Sequence, residues 1–266
     1  MTNALAELTL PVPEVLRAWI ADIESVSVAG RSPESFAHVP DTATKLVVRV
    51  EENGRRDTLV VGPRTRASYH ADADQRVASC VQLRLRPGTA RPLLGVPAVN
   101  LVGQVVRLSD MTGSFPQLAD ELHDLAPEEM VAHLARVLPG RRAPTADRSR
   151  NALLRAAADA LSTRTDRIPA QVREVARDLA VSERQLRNLF AEGIGVSPKH
   201  YARINRVRHV LTHAATAPWS ELAAATGYYD QSHMTSDFRT LMGVPPRSFF
   251  TGLLPRPQPC QAFRRG

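Results

Sequence analysis

The spacing of apolar positions changes rhythm along the chain. Val81, Leu83 and Leu85 alternate with Gln82, Arg84 and Arg86, which predicts a strand with one apolar and one wet face. The runs Lys45 to Val50 and Asp57 to Val61 are β-branched and are joined through Asn53-Gly54, a dipeptide suited to the positive φ of a tight hairpin. Pro87-Gly88 closes the third run. Short strands punctuated in this way predict a small sandwich or barrel. From Phe115 to Leu138 the period lengthens, and Leu118, Leu122, Leu125, Met130, Leu134 and Val137 mark an amphipathic helix. That helix can pack on its own barrel or form a homodimer seam. Pro139 to Pro144 reads as a linker, the helical pattern resumes at Ser149, and the Pro-rich end reads as disordered.

The helical half contains a repeat. Phe190, Gly195, Val196 and Pro198 recur as Phe238, Gly243, Val244 and Pro246 at a constant offset of 48 positions. Tyr201 pairs with Phe249, Leu186 with Met234, and Ser182 with Asp230 at the same offset, the last two being good N-cap residues. Upstream, Val175-Ala176 pairs with Leu222-Ala223 at 47, so the intervening turn is one residue longer in the second copy. Each copy predicts a short helix (Val172 to Leu179; Ser220 to Ala225), a tight turn, and an N-capped second helix (Glu183 to Glu192; Gln231 to Met242). Gly227 serves the second turn, where positive φ costs a glycine little. Two helices joined by a short turn form a helix-turn-helix. Paired helices also build solenoid scaffolds, but two copies are few for a solenoid, and a solenoid needs no basic face.

Charge distinguishes the two halves. Residues 1–140 carry a balance of −3, whereas residues 141–266 carry +10. A basic half of this kind is expected to meet a polyanion. Overall, the 43% hydrophobic and 23% charged fractions are those of an ordinary globular protein, and no run nears the roughly 18 apolar residues that cross a bilayer. No secretory leader is evident and the two cysteines match no metal or redox spacing, so a cytoplasmic protein with no membrane partner is expected.

Residues from about Ser149 to Phe250 resemble the paired helix-turn-helix domain of the AraC/XylS transcription regulators. The resemblance lies in the stretch Val175 to Phe190 with Gly195-Val-Ser-Pro198, and in the stretch Glu221 to Arg239. Leu85 to Pro97 also resembles a segment of a cupin-like sensor domain found in one branch of that family. The expected fold is therefore α+β with two domains. Residues 1–140 would form a β-rich, cupin-like barrel with flanking helices, for effector sensing or dimerisation. Residues 141–148 would be a linker, 149–252 an all-α DNA-binding domain with two helix-turn-helix units joined by a long helix, and 253–266 a disordered tail. The resemblance implies a transcription regulator acting on double-stranded DNA. Further expected partners are a small-molecule effector, a second copy of the chain, and RNA polymerase if the protein activates.

With Leu186, Leu189 and Phe190 inward, helical periodicity turns Glu183, Arg184, Arg187 and Asn188 outward. Arginine suits guanine O6/N7 and asparagine suits adenine N6/N7, and the resemblance implies that the positions of Arg184, Arg187 and Asn188 touch bases. The candidate base contacts are these three with Gln185, and Gln231, Ser232, His233 and Ser236 on the second unit. Many relatives carry arginine where Ser236 stands, so the second unit is expected to read DNA less specifically or mainly to hold the backbone. Ser182, Lys199, Arg203, Arg206, Thr235, Arg239 and Arg247 are candidate phosphate contacts, lying at helix starts or on polar faces. Val196-Ser197-Pro198 opens a helix to about His213, a rod of about 24 Å. A rod of that size can set two recognition helices into successive major-groove segments, about 34 Å apart.

Catalytic and metal patterns are not found. His123, Asp124 and His133 form no His-Glu-x-x-His motif, there is no Gly-x-Ser-x-Gly elbow, and Gly193-x-Gly195 follows a helix instead of preceding one. His38 and His70 could ligate a metal in a barrel, but no further ligands are evident nearby. No cofactor, metal or catalytic residue is expected. The alternatives to a DNA-binding regulator are a helical protein-interaction scaffold and an enzyme with a catalytic N-terminal barrel.

Overall fold

The computed structural model describes residues 5–28, 35–71, 77–113, 115–140, 145–163 and 169–258. The strands are β1 (Leu5–Leu10), β2 (Ile20–Val28), β3 (Ser35–His38), β4 (Lys45–Glu51), β5 (Arg56–Val61), β6 (Ser68–Ala71), β7 (Val77–Leu85) and β8 (Val105–Arg107). Six of them form an antiparallel sheet in the order β1-β2-β7-β4-β5-β8, and β3 pairs with β6 in a separate two-stranded sheet. The described strands thus make an open sheet and a hairpin-like pair, without closing into one barrel. The hairpin expected at Asn53-Gly54 joins β4 to β5, with Gly54 at φ +82°.

Alternation sets the two faces of the large sheet. Leu46, Val48, Val60, Val81, Leu83 and Leu85 are buried on one face, against a helical layer. That layer holds α1 (Ala90–Leu94), α2 (Phe115–His123) and α3 (Pro127–Val137). The single helix expected from Phe115 to Leu138 is broken in two, because Pro127 starts a new helix and Ala126 before it is extended. Leu118, Leu122, Met130 and Leu134 are buried in this core, so the amphipathic stretch packs on the sheet of its own chain. Arg84, expected on a wet face, is instead ion-paired with Asp41.

The helical half comprises α4 (Thr145–Leu161), α5 (Val172–Asp178), α6 (Glu183–Gly193), α7 (Pro198–His213), α8 (Trp219–Ala225), α9 (Gln231–Met242) and α10 (Pro246–Phe250). The first of these begins at Thr145, four residues before the expected Ser149, so 145–148 is helix and not linker; residues 141–144 lie outside the described part. Two cores form. One gathers Leu154, Leu161, Val175, Leu186, Leu189, Phe190 and Tyr201, and the other Ile204, Val207, Val210, Leu222, Met234, Phe238 and Leu241. Helix α7 serves both, with its start in the first core and its remaining turns in the second. The expected tail is also partly ordered, since the Leu253 N–H donates to Ser248 O and the Gln258 N–H to Tyr69 O, each at 2.8 Å. Residues 259–266, including Cys260, lie outside the described residues.

Candidate nucleic-acid interface

The repeat read from the sequence is a repeat of geometry. Phe190 and Phe238 are both 0% exposed, and each meets its partner ring edge to face: Phe190 and Tyr201 at 5.4 Å, Phe238 and Phe249 at 5.9 Å. Gly195 and Gly243 both take positive φ, at +94° and +76°. The helices α6 and α9 are the candidate recognition elements, and their starts are fixed by side-chain caps. Ser182 Oγ accepts from the Gln185 N–H at 3.1 Å, and Asp230 Oδ1 accepts from the His233 N–H at 2.7 Å. Such caps each stabilise a helix by about 1 kcal/mol, and they leave the remaining N–H groups of the first turn directed outward.

On α6 the side chains of Arg184, Gln185, Arg187 and Asn188 are all exposed. Gln185 is partly committed, because its Oε1 accepts from the Ser182 N–H at 2.8 Å in a reciprocal capping box. Its oxygen is thus occupied in the cap while its amide N–H₂ remains on the exposed face, and Ser182 Oγ is likewise occupied as the cap. Arg184, Arg187 and Asn188 form the open face. On α9, Gln231, Ser232, His233, Ser236 and Arg239 are exposed and Thr235 is half-buried. Gln231, Ser232, Thr235, Ser236 and Arg239 line one open concavity. The two faces differ in character: α6 offers guanidinium groups, and α9 offers small hydroxyls and an amide with one arginine at the far end.

The phosphate candidates divide into two groups. Lys199 and Arg247 are exposed, as Arg239 is. Arg203 and Arg206, by contrast, are partly buried and engaged within the protein. Arg203 pairs with Asp237 Oδ1 at 2.7 Å and Arg206 with Asp237 Oδ2 at 3.4 Å. The Arg206 guanidinium also lies 4.6 Å from the centre of the Tyr228 ring. Asp237 is buried, and its two bonds fasten α9 onto α7. Burial raises the Tyr228 hydroxyl above the usual tyrosine range, with Asp237 adding to the effect.

Sequence reasoning gave no role to Asp237 or to Tyr229. The first could have been suspected as the one acid of α9, on its inward side. The second is 93% exposed, immediately before the Asp230 cap of α9, while its neighbour Tyr228 is buried. In the N-terminal half, the His38 and His70 rings meet edge to face at 5.3 Å. Burial, Arg64 and His70 push the His38 imidazole down to about 3, so it is neutral at ordinary pH. Among the described residues, no group of three or more His, Cys, Asp or Glu side chains could hold a metal ion. Among them, too, no helix is long and apolar enough to cross a membrane.

Residues 175–252 match the family described as a helix-turn-helix domain. No curated protein matches the chain. Among solved structures, the C-terminal domain of AraT, a response regulator from Geobacillus stearothermophilus, is similar at 21% identity over 41% of this chain and 92% of that one, with a TM-score of 0.35. ToxT from Vibrio cholerae O395 is similar at 9% identity over 88% of this chain and 98% of that one, TM-score 0.42. Unsaturated fatty acid-bound ToxT from Vibrio cholerae is similar at 13% identity over 96% and 100%, TM-score 0.40. The family match spans both capped helices and the helix between them, so residues 175–252 of this chain are similar to a helix-turn-helix domain.

Proposed function

We propose that this protein is a sequence-specific transcription regulator that reads two successive major-groove segments of double-stranded DNA with α6 and α9. The observation that carries this reading is the pair of capped helices, equivalent at an offset of 48 residues, each with an exposed polar face and both packed on one shared helix. Arg184, Arg187 and Asn188 carry base recognition, with donors matched to guanine and adenine edges. Gln231, Ser232, His233 and Ser236 are base contacts on the second unit. Lys199, Thr235, Arg239 and Arg247 meet phosphates, and the Tyr229 hydroxyl and ring meet the backbone beside α9. A regulator of this kind acts in the cytoplasm, and the N-terminal half modulates it.

Selection of genomic DNA fragments by the purified full-length protein, followed by a salt titration of the best fragment, tests the proposal. The expected result is one motif spanning about two helical turns, with affinity falling steeply as salt rises. Binding without any motif, at every salt concentration, sinks it. A thermal-shift screen addresses effector binding, because a ligand of the folded state raises the melting temperature by mass action.

A further inference from the structure

The repeat extends to the C-terminal ends of α6 and α9. The last carbonyls of a helix have no partner within it. At the end of α6, Gly193 O accepts from the Gly88 N–H, which lies in the turn after β7, at 2.9 Å. At the end of α9, Leu241 O accepts from the Ala67 N–H, just before β6, at 2.8 Å. Gly193 and Leu241 are separated by 48 positions, the offset of the repeat itself. Met242 O next to it accepts from the Tyr69 hydroxyl, which is buried. The N-terminal half therefore caps both recognition helices, at equivalent carbonyls.

Close backbone approach makes these contacts, and the glycines permit it. A Cβ on Gly193 would fall 2.2 Å from a Leu154 methyl and 3.2 Å from the Gly88 Cα. One on Gly88, at φ +85°, would fall 2.2 Å from Asn151 Oδ1. One on Gly195 would fall 2.8 Å from the Ala98 carbonyl oxygen. Between the two capped ends, Arg208 of α7 donates to Pro40 O at 3.1 Å and pairs with Asp41 at 3.6 Å. Asp41 is itself held by Arg84 and by Lys45, the latter at 2.9 Å. Its backbone pairs with Arg64, three residues before Ala67. All three anchors thus belong to one scaffold.

We propose that the N-terminal half is a positioning bracket, which holds the C-terminal ends of both recognition helices and so sets the base-pair spacing that the protein reads. This rests on the two-segment DNA reading above. Without the bracket, the two units share mainly α7, and a rotation about that helix would swing one recognition helix against the other. Directional hydrogen bonds at both helix ends remove this freedom. One base pair of added spacing turns the second half-site by about 35° and moves it by about 3.4 Å, a change that a held pair of helices does not follow. Tyr69, Gly88 and Arg208 are the positioning residues.

The test uses the full-length protein and duplexes in which the two selected half-sites are moved apart or together by one and two base pairs, with a control duplex carrying the α6 half-site alone. The wild type is expected to lose about tenfold in affinity for each single-base-pair change. A Tyr69→Phe, Arg208→Gln double variant is expected to lose less than about threefold per step, with unchanged affinity for the α6 half-site alone. Gly88→Val should broaden the profile from the other unit; if its melting transition is absent, the double variant decides alone. A double variant that folds and keeps the wild-type spacing profile overturns the proposal, as does a wild type indifferent to spacing. A wild type that selects no motif at all overturns the underlying DNA reading instead.

Discussion

At Arg184 and Arg187 the guanidinium groups are exposed beside Asn188, whereas Arg203 and Arg206 are held by Asp237. Arg184→Ala or Arg187→Ala is expected to cost about 1–3 kcal/mol on the selected site and to relax its sequence preference. Arg247→Ala should weaken selected and scrambled duplexes alike; uniform losses for both kinds of variant would refute the division into base and phosphate contacts. His38 gives a pH dependence of defined sign. Its imidazole is held down to about 3, against 6.5 for an ordinary histidine. Below that ordinary value the unfolded chain takes up a proton that the fold refuses, so stability is full above about pH 6.5 and falls with acidification. His200 and His209, also lowered by burial, act in the same direction. Melting temperature followed from pH 7 to pH 4 should decline less steeply in His38→Gln than in the wild type. The exposed arginines were legible in the sequence because helical periodicity tells inside from outside on one helix. The capture of Arg203 and Arg206 was not, because their partner lies more than thirty residues away on another helix.

Among the elements, the two helix-turn-helix turns solve one problem with different residues. Gly227 takes φ +71° in the second unit, and Ala180, at the matching place in the first, takes φ +52°. Ala180 is the only non-glycine with positive φ among the described residues. A left-handed conformation costs an L-residue about 1–2 kcal/mol, partly offset by the entropy a glycine loses on folding. Ala180→Gly is therefore expected to raise stability by up to about 1 kcal/mol, and Gly227→Ala to lower it, both read from denaturant midpoints. If Ala180→Gly lowered the midpoint, the strain argument would fail. Helices α5 to α9 were readable to within a residue or two, since apolar stripes, N-caps and turn glycines all agreed. The break between α2 and α3 carried its own mark, Pro127, within an otherwise continuous apolar stripe.

For the whole molecule, the join between the halves was the least legible feature. It depends on residues 40–41, 67–69 and 88, three segments far apart in sequence whose pairing no periodicity marks. At its centre lies Asp41, whose carboxyl is held well below the usual carboxylate range by Arg84, Lys45 and Arg208 despite its burial. A depressed carboxylate contributes stability above its ordinary titration range and loses it only as pH falls through the folded value, so this contact persists through the window in which the histidines titrate. Asp41→Asn leaves three cations without their shared anion and should destabilise the protein by about 3–5 kcal/mol. It should also speed hydrogen exchange along α7 beyond what the lower global stability explains. Unchanged exchange at α7 would show that the two halves do not depend on this carboxylate.

On the DNA reading proposed above, the unlike faces of α6 and α9 have a consequence for where the protein sits on a chromosome. A guanidinium-rich face at one end and a hydroxyl-rich face at the other make the recognised sequence directional, with no palindrome required. One molecule then lies on its site in a single orientation, and everything it carries points to a defined flank. Inverting the site within a promoter, with its distance to the transcription start unchanged, would leave occupancy intact while presenting the opposite flank to the transcription machinery.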